Sequence, residues 1–438
     1  MSRILLATFG SLGDLHPYIA IGRALQERGH AAVIATSPDY APLVAAAGLD
    51  FAPVRPRIES FGDRRRVTQR LLHPLRGTER LLRDIVMPYL PQALEDTMVA
   101  AQGSDLLVSH PLTFTVPIVA HRLQLPWVST VLAPLSLITK DAPPRIPGIN
   151  LLQATQRMGA RVHDVAWLAM RAVLRHWERP LRGLRALHGL PDTGAVMTLE
   201  GQYSPHGTLA LFDAPLARPA ASWPTPLSVC GTALYDGHAP DPASLDELRG
   251  FLEAGEPPLV FALGSSAVWI ADRFWPEAID AARALGRRAI LISGETRFAS
   301  LPDGIRAFPY LPYSQVFPHA AVVIHQAGIG TLSQALRAGR PQLITPVAFD
   351  QPDNAERVEK MDIARVLPFQ RVTAKRLVRA IEALLGDDQA ADQAATVADQ
   401  LRGVDGAGAA AQWLERKALD RQPLQAGRCS GAEPVARQ

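Results

Sequence analysis

VVIHQAGIGTLSQALRAGRPQLITPVAFDQPDN, residues Val322 to Asn354, begins with an apolar run. With Ala321 it has the length and β-branched content of a buried strand ending at His325. Gly328 and Gly330 follow and predict a turn in which the backbone approaches a ligand closely, with a helix from near Thr331. A second short strand, Gln342 to Thr345, leads into a polar loop, Phe349, Asp350, Gln351, Pro352, Asp353, Asn354. A strand feeding a glycine turn and then a helix presents unpaired N–H groups at the positive end of a helix dipole, so its preferred guest is an anion such as phosphate. The loop adds a carboxylate and an amide, groups suited to sugar hydroxyls. Gly-x-Gly at such a place also serves close packing alone. The stretch lacks both the third glycine of a dinucleotide fingerprint and the Gly-Lys-Ser/Thr of a P-loop.

Outward from this stretch, strands and helices alternate. Arg3 to Thr8 predicts a strand that runs into the loop Phe9 to Pro17, followed by a helix with Pro17 in its first turn and a stop at Gly29. Strands are expected at Ala31 to Ala35, Phe51 to Val54, Asp105 to Ser109 and Trp127 to Leu132. The intervening helices are Pro42 to Ala47, Glu79 to Ala101 and Thr113 to Leu123. Pro143, Pro144 and Pro147 mark an irregular segment, and Leu151 to Leu187 reads as long helices interrupted at Pro180 and Gly183. Short strands at Leu209 to Phe212 and Leu227 to Val229 precede a Pro- and Gly-rich stretch with one helix, Ser244 to Ala254. A second series then begins with the strand Leu259 to Leu263 and the turn Gly264, Ser265, Ser266. It continues through the helix Arg273 to Leu285 and strands Ala289 to Ser293 and Ile305 to Phe308, and ends in three helices near 373–385, 389–401 and 406–419. Short, almost fully apolar strands alternating with helices argue for parallel sheets covered on both faces. The expected fold class is α/β with two Rossmann-like domains. These are an N-terminal domain 1–232, a linker 233–256 with a short helix, a C-terminal domain 257–420 whose last helix can pack back on the first domain, and a disordered tail 421–438.

At 438 residues the chain exceeds one ordinary core and suits two domains. A net charge of +3 demands no nucleic acid, and 47% apolar content with 20% charge is that of a globular protein. Cys230 and Cys429 stand far apart and form neither a disulfide framework nor a metal spacing, which suits a reducing cytoplasm. No signal peptide or membrane span is readable. The expected location is cytoplasmic.

The block His325, Gln326, Ala327, Gly328, Ile329, Gly330, Thr331, with Asp350 and Gln351 downstream, resembles the donor-binding signature of family 1 glycosyltransferases. Relatives carry a His-His-Gly-Gly-x-Gly-Thr-like turn, so Gln326 and Ala327 depart from the pattern. Within the family the chain is similar to the catalytic subunit of rhamnolipid-type rhamnosyltransferases, through Gly10-Ser11-x-Gly13-Asp14, Ser204-Pro205-x-Gly207, Trp223-Pro224-x-Pro226-Leu227 and Asp350-Gln351-x-Asp353-Asn354. The resemblance implies the GT-B architecture, an acceptor-binding N-terminal half, and a C-terminal half holding a nucleotide sugar. It implies no cofactor and no metal, and no Asp-x-Asp occurs in the sequence. The reaction implied is inverting transfer of a hexose, rhamnose or glucose, from a dTDP or UDP sugar to the hydroxyl of a small apolar or amphiphilic acceptor such as a hydroxy-fatty acid, polyketide or phenol.

Such a transfer needs a base for the acceptor hydroxyl and stabilisation of the leaving diphosphate. Asp14, at the mouth of the first sheet, reads either as that base or as a helix cap, and the resemblance favours the base. His16 is the alternative base. His110, Phe114 and Leu135 form the acceptor-pocket set, His110 also being a partner for Asp14. Gly13, Ser265, Ser266, His325, Gln326, Gly328, Gly330, Thr331, Asp350 and Gln351 form the donor set. The resemblance adds Tyr310, stacking on the pyrimidine, and the backbone of Leu311, pairing with its edge.

Two arginine-rich segments remain, 57–83 and 167–185, the second mixing arginine with Trp167 and Trp177. Each reads either as a solvated face or as a basic amphipathic rim that takes an acidic acceptor or makes a peripheral contact with an anionic membrane. Two other functions compete with sugar transfer: a nucleotide-sugar 2-epimerase of the same architecture, and a non-catalytic subunit that binds donor or lipid.

Overall fold

The computed structural model describes residues 1–141, 151–237 and 240–419. Pro143, Pro144, Pro147 and the segment 421–438 lie outside the described residues. The first sheet contains β1 (Arg3–Ala7), β2 (Ala31–Thr36), β3 (Asp50–Pro53), β4 (Leu106–Ser109), β5 (Trp127–Val131), β6 (Thr208–Ala210) and β7 (Leu227–Val229). All pairings are parallel, in the order β3-β2-β1-β4-β5-β6-β7, with Leu5 opposite Val33 on one side and Leu107 on the other. The second sheet contains β8 (Leu259–Ala262), β9 (Ala289–Ile292), β10 (Ile305–Phe308), β11 (Val322–His325), β12 (Gln342–Ile344) and β13 (Ala364–Val366). Its order is β10-β9-β8-β11-β12-β13, again parallel. Each sheet therefore grows outward in one direction from its first strand and then resumes on the other side, which creates a switch point between β1 and β4 and another between β8 and β11.

Both sheets are covered on both faces. Ile4 and Leu6 of β1 join one apolar cluster, while Leu5 and Ala7 join another. In β8, Leu259 and Phe261 face one cluster, Val260 and Ala262 the other. Period-2 alternation with apolar residues on either side is why these strands read as continuous apolar runs. The covering helices of the first half are α1 (Leu12–Glu27), α2 (Ala41–Ala46), α3 (Arg64–Leu71), α4 (Leu90–Ala100), α5 (Val116–Leu123), α6 (Leu151–Arg157), α7 (Ala160–Trp177) and α8 (Arg179–Leu187). Then come α9 (Pro242–Glu253), α10 (Phe274–Ala284), α11 (Ile329–Ala338), α12 (Gln351–Glu359), α13 (Ala374–Leu385), α14 (Asp388–Leu401) and α15 (Gly406–Leu419). Among the described residues no helix is long and apolar enough to cross a membrane.

Several sequence expectations are corrected. Pro17 is the sixth residue of α1, because the helix starts at Leu12 under a Ser11 cap. The helix expected over Glu79 to Ala101 is broken into a short turn, a π segment at Leu81–Val86, a 3-10 turn at Met87–Tyr89, and α4. Pro88 and Pro91 bring no N–H to a continuous ladder there. Pro180 does not interrupt a helix but sits in the first turn of α8, where its missing N–H has no intrahelical partner to lose. Gly183 lies inside α8, and the actual breaks fall at Gly159, with φ of 110°, and at Glu178. The segment read as the polar loop 349–354 is largely the first turn of α12, and β13 was not foreseen.

The two halves meet over a wide contact. One apolar cluster runs from Ile4, Leu6 and Tyr18 into Ile329, Leu332 and Leu336 of α11 and Ala355 and Val358 of α12. At its edge the fully buried Asp213 takes both nitrogens of Arg337 on α11, at 2.5 and 2.9 Å, and the Thr232 hydroxyl meets Ser333 at 2.7 Å. α15 returns to pack on α1, where Glu415 bonds Arg28 and His30. The first arginine-rich segment also joins the halves: Arg64 lies 4.6 Å from the Trp269 ring, Arg65 pairs with Asp272, and Leu72 enters the apolar cluster of the second sheet. Arg70 and Arg83 pair with Asp84 and Glu79. Within residues 57–83, Arg64, Arg65 and Leu72 thus clasp the second half, while Arg57, Arg66 and Arg76 stay exposed.

Candidate active site

In open parallel sheets, ligands collect beyond the carboxyl ends of the strands at the switch point. At the first switch point the chain leaves β1 through Gly10, whose φ is +141° and where a Cβ would sit 2.2 Å from Asp14 Oδ2. That glycine makes room for the carboxylate. Ser11 caps α1, and Asp14 closes a capping box: Oδ2 accepts from the Ser11 N–H at 2.7 Å and from its hydroxyl at 3.1 Å. Oδ1 faces His110, which follows β4 on the other side of the switch point, with Nε2 at 3.2 Å. His110 Nδ1 accepts the Leu112 N–H at 3.1 Å, so the ring proton sits on Nε2 and is donated to Asp14. The histidine is buried, whereas about a third of the Asp14 side chain (32%) remains exposed. One lone pair of Oδ1 stays free for an incoming hydroxyl.

At the second switch point, β8 leads through Leu263 into Gly264, and β11 runs into Gln326. Gly264, with φ of +65°, lacks the Cβ that would lie 2.1 Å from Gln326 Nε2, so the amide fits between the two turns. His325 is fully buried; its Nδ1 accepts the Ala327 N–H at 3.1 Å and its Nε2 donates to Gln342 Oε1 at 2.9 Å. Burial pushes its pKa down to about 4, against the Gln342 bond. The ring is thus a neutral strut that holds Ala327 in a left-handed conformation, φ 65°. Gly328 then precedes α11 without any side-chain cap. The first N–H groups of this helix are left to whatever occupies the groove.

Asp350 follows β12 and faces the same turn. Asn354, fully buried, donates its amide to Asp350 Oδ2 at 2.7 Å and to the Ala327 carbonyl at 3.0 Å. Burial, opposed by the Asn354 bond and assisted by the negative charge of Asp14, pushes the Asp350 carboxyl up to about 7. Phe349, just before, is also left-handed at φ 57°. Two strained non-glycine residues at one site are the kind of outlier that marks a place where geometry is held for use.

Residues 4–134 match the glycosyltransferase family 28 N-terminal domain, and residues 287–404 match the erythromycin biosynthesis protein CIII-like C-terminal domain. O-mycaminosyltylonolide 6-deoxyallosyltransferase of Streptomyces fradiae is 30% identical over 414 residues, covering 92% of this chain and 96% of that enzyme. The chain belongs to this glycosyltransferase family. Among solved structures, the glycosyltransferase of kitacinnamycin superposes with a TM-score of 0.71 at 21% identity, covering 95% and 99% of the two chains. Glycosyltransferase VinC in complex with dTDP gives 0.66 at 20% identity over 95% and 99%. These likenesses confirm the GT-B fold. None of the three is a rhamnolipid-type enzyme, so the wider family is what similarity supports.

The glycosyltransferase brings some anticipated site residues together and separates others. Asp14 and His110 are in contact. His16, two positions further along α1 and so about 200° around it, turns to the linker instead, its ring edge-on to Tyr235 at 5.3 Å. Gly13 is exposed in the first turn of α1. Ser265 and Ser266 lie half-buried in the turn after Gly264. Thr331 is buried, and burial holds the Tyr313 phenol up to about 12. Gly330 has open space where a Cβ would be, and Gly328 has φ of −59°, so neither needs a left-handed backbone. The left-handed position of the turn is Ala327. Gln351 Oε1 accepts the N–H groups of Val347 and Ala348, which shapes the loop rather than presenting that oxygen to the groove. Leu311 is fully buried, and the Tyr310 hydroxyl bonds the Asp236 carbonyl. Phe114 lines an apolar crevice with Phe9, Tyr89 and Leu112, and Leu135 sits in a 3-10 turn against α12.

Three contributors were missed. Asn354 could have been found from its four-residue spacing after Asp350, and the start of α1 from Ser11-x-x-Asp14. Asp236 gave no signal: its carboxylate accepts from Ser314 and Gln334, both at 2.7 Å, and ties the linker beside Tyr310.

Proposed function

We propose that the enzyme inverts the anomeric centre of a hexose as it moves it from a dTDP or UDP sugar to a hydroxyl of a polyketide-like or other largely apolar acceptor, without a metal. The observation that carries this reading is the Asp14–His110 contact at the first switch point, matched at the second by the uncapped start of α11 and the Asp350–Asn354 pair bonded to its turn. The relative acting on O-mycaminosyltylonolide and the dTDP complex of VinC support the acceptor and donor classes. In this reading residues 1–232 receive the acceptor and 257–420 the donor.

The acceptor oxygen gives its proton to Asp14 Oδ1 as it attacks the anomeric carbon, and the bond from that carbon to the diphosphate breaks on the opposite side. His110 orients the carboxylate through its Nε2 proton. The departing diphosphate is received by the free N–H groups of α11 and the Gly264 to Ser266 turn, preorganised donors of the kind that usually supply the largest catalytic share. Asp350 and Asn354 hold sugar hydroxyls. Gln326 Oε1 and Asn354 Oδ1 are buried acceptors without a partner among the described residues, and hydroxyl groups of a bound sugar would satisfy them. Tyr310 flanks the nucleoside.

Nucleotide release from dTDP- and UDP-sugar panels, with and without hydroxylated acceptors and in the presence of EDTA, tests the proposal. Acceptor-dependent release that survives EDTA supports it. Release without an acceptor would indicate the epimerase, and donor binding without release the non-catalytic subunit.

A further inference from the structure

The longest described helix, α7, turns a strip of apolar side chains outward. Val162, Val165, Leu168, Ala169, Ala172 and Val173 are all exposed, Val165 by 67% and Leu168 by 64%. On a helix these positions share one face about 140° wide, and the strip runs about 17 Å. Met158, 67% exposed, extends it past the helix start. A contiguous apolar strip on a protein surface marks an interaction site, whereas scattered single residues do not. Each end carries exposed arginine: Arg157 and Arg161 at one, Arg179 at the other.

Among the described residues Arg157, Arg161 and Arg179 form no ion pair. Between 157 and 187 the sequence has two acids, Asp164 and Glu178. Asp164 pairs with Lys140 at 2.5 Å, and Glu178 is fully buried, accepting the N–H groups of Met197 and Thr198 at 2.8 and 2.7 Å. Arg171 and Arg175, off the strip, are already paired with Glu200 and Asp192. The surface is thus apolar in the middle and positive at both ends.

We propose that this face of α7 docks on an anionic lipid surface. A second copy of the chain fits poorly, because pairing the strip with itself sets cation against cation whether the helices run parallel or antiparallel. A protein groove would be expected to engage aromatic anchors, but Trp167 and Trp177 lie off the strip and half-buried, leaving a convex ridge of valine, alanine and leucine. Such a ridge can sink to the headgroup boundary while arginines at its ends meet anionic headgroups.

The test is co-sedimentation of the full chain with phosphatidylcholine vesicles, with or without phosphatidylglycerol, at low and high salt. Binding to the anionic vesicles at low salt is expected. Val165→Asp with Leu168→Asp should weaken it at least about tenfold, and Arg157→Ala and Arg161→Ala by about fivefold each. Both sets lie on exposed positions, and unchanged thermal unfolding and donor binding confirm an intact fold. Absence of binding at low salt overturns the proposal, as does binding that ignores the Val165 and Leu168 changes. If those changes instead split an oligomer into monomers while vesicle binding is absent, the face joins copies of the chain and the lipid proposal fails.

Discussion

The helices that open the two switch points, α1 and α11, begin in the same topological place and end up electrically opposite. At α1 the chain supplies its own anion: Asp14 closes a capping box and satisfies the Ser11 N–H. At α11 no side chain does so, and Gly328 leaves the first N–H groups open. The dipole at each start favours negative charge. In one half it holds a carboxylate that can take a proton; in the other it awaits a carboxylate's substitute from outside. A helix start that is filled orients a reactive group, and one that is empty binds a ligand.

Removing the filler is expected to have the largest effect. Asp14→Asn keeps an acceptor for the Ser11 N–H but cannot take up the acceptor's proton, so kcat should fall by about 10²- to 10⁴-fold. Donor affinity, measured by calorimetry, should stay within about threefold, since Asp14 stands on the other half. A matching collapse of donor affinity would place Asp14 in donor binding and refute the base. Filling the empty start is the converse experiment. Gly328→Asp would bring a carboxylate to the site reserved for diphosphate, and a Cβ there needs only a small shift of the Gln326 amide, 3.0 Å away. Donor affinity should drop about tenfold to hundredfold, the range of one or two charged hydrogen bonds, while thermal stability rises slightly through the added cap. Unchanged donor affinity would show that the diphosphate binds elsewhere. His110→Ala should slow turnover by about tenfold, with donor affinity untouched, because the histidine acts on the base and not on the donor.

The carboxyl beside the empty start gives a pH test. Asp350 is pushed from 3.8 up to about 7. Between those values the folded protein keeps a proton that the unfolded chain has lost, so this group makes stability fall as pH rises from about 4 to about 7, and no further above that. Ionised Asp350 is the better acceptor for sugar hydroxyls. Affinity for the nucleotide sugar, though not for the free nucleotide, should therefore rise through pH 7. Asp350→Asn should flatten both trends, and an unaltered pH dependence would remove Asp350 from the sugar site.

Much of this comparison was legible in the sequence. Runs such as Ile4 to Ala7 and Leu259 to Ala262 carry their own message, because a strand buried on both faces must be apolar throughout. The β13 strand, only three residues with a charged Arg365 in its middle, carries almost none. Helix starts were displaced: the Ser11 cap began α1 early, and Asp350-Gln351-Pro352, read as loop formers, instead open α12 with Pro352 in its first turn. Both halves share one strand order without any readable repeat, since topology constrains which positions are apolar and not which residues occupy them. The Asp213–Arg337 pair and the clasp of Arg64 and Arg65 on the second half join residues far apart in sequence, beyond any local pattern.

The smallest expected effect concerns how the empty start is held in shape. The first switch point turns through Gly10 and the second through Ala327, a fully buried alanine at φ 65°. Ala327→Gly would relieve a left-handed strain of about 1–2 kcal/mol. Against that stand the extra chain entropy of glycine, about 0.5–1 kcal/mol, and the loss of a buried methyl worth about 0.8 kcal/mol. The terms nearly cancel, so the unfolding free energy should move by less than about 1 kcal/mol. The His325 strut accepts the backbone N–H of residue 327 whichever side chain is present, so donor affinity should change less than about threefold. A loss beyond 2 kcal/mol in denaturant titration would mean that the methyl, packed under α11, and not the histidine, sets the turn. A comparable gain would mean that the strain is larger than the backbone angle alone implies, and that the open helix start is kept at the expense of stability.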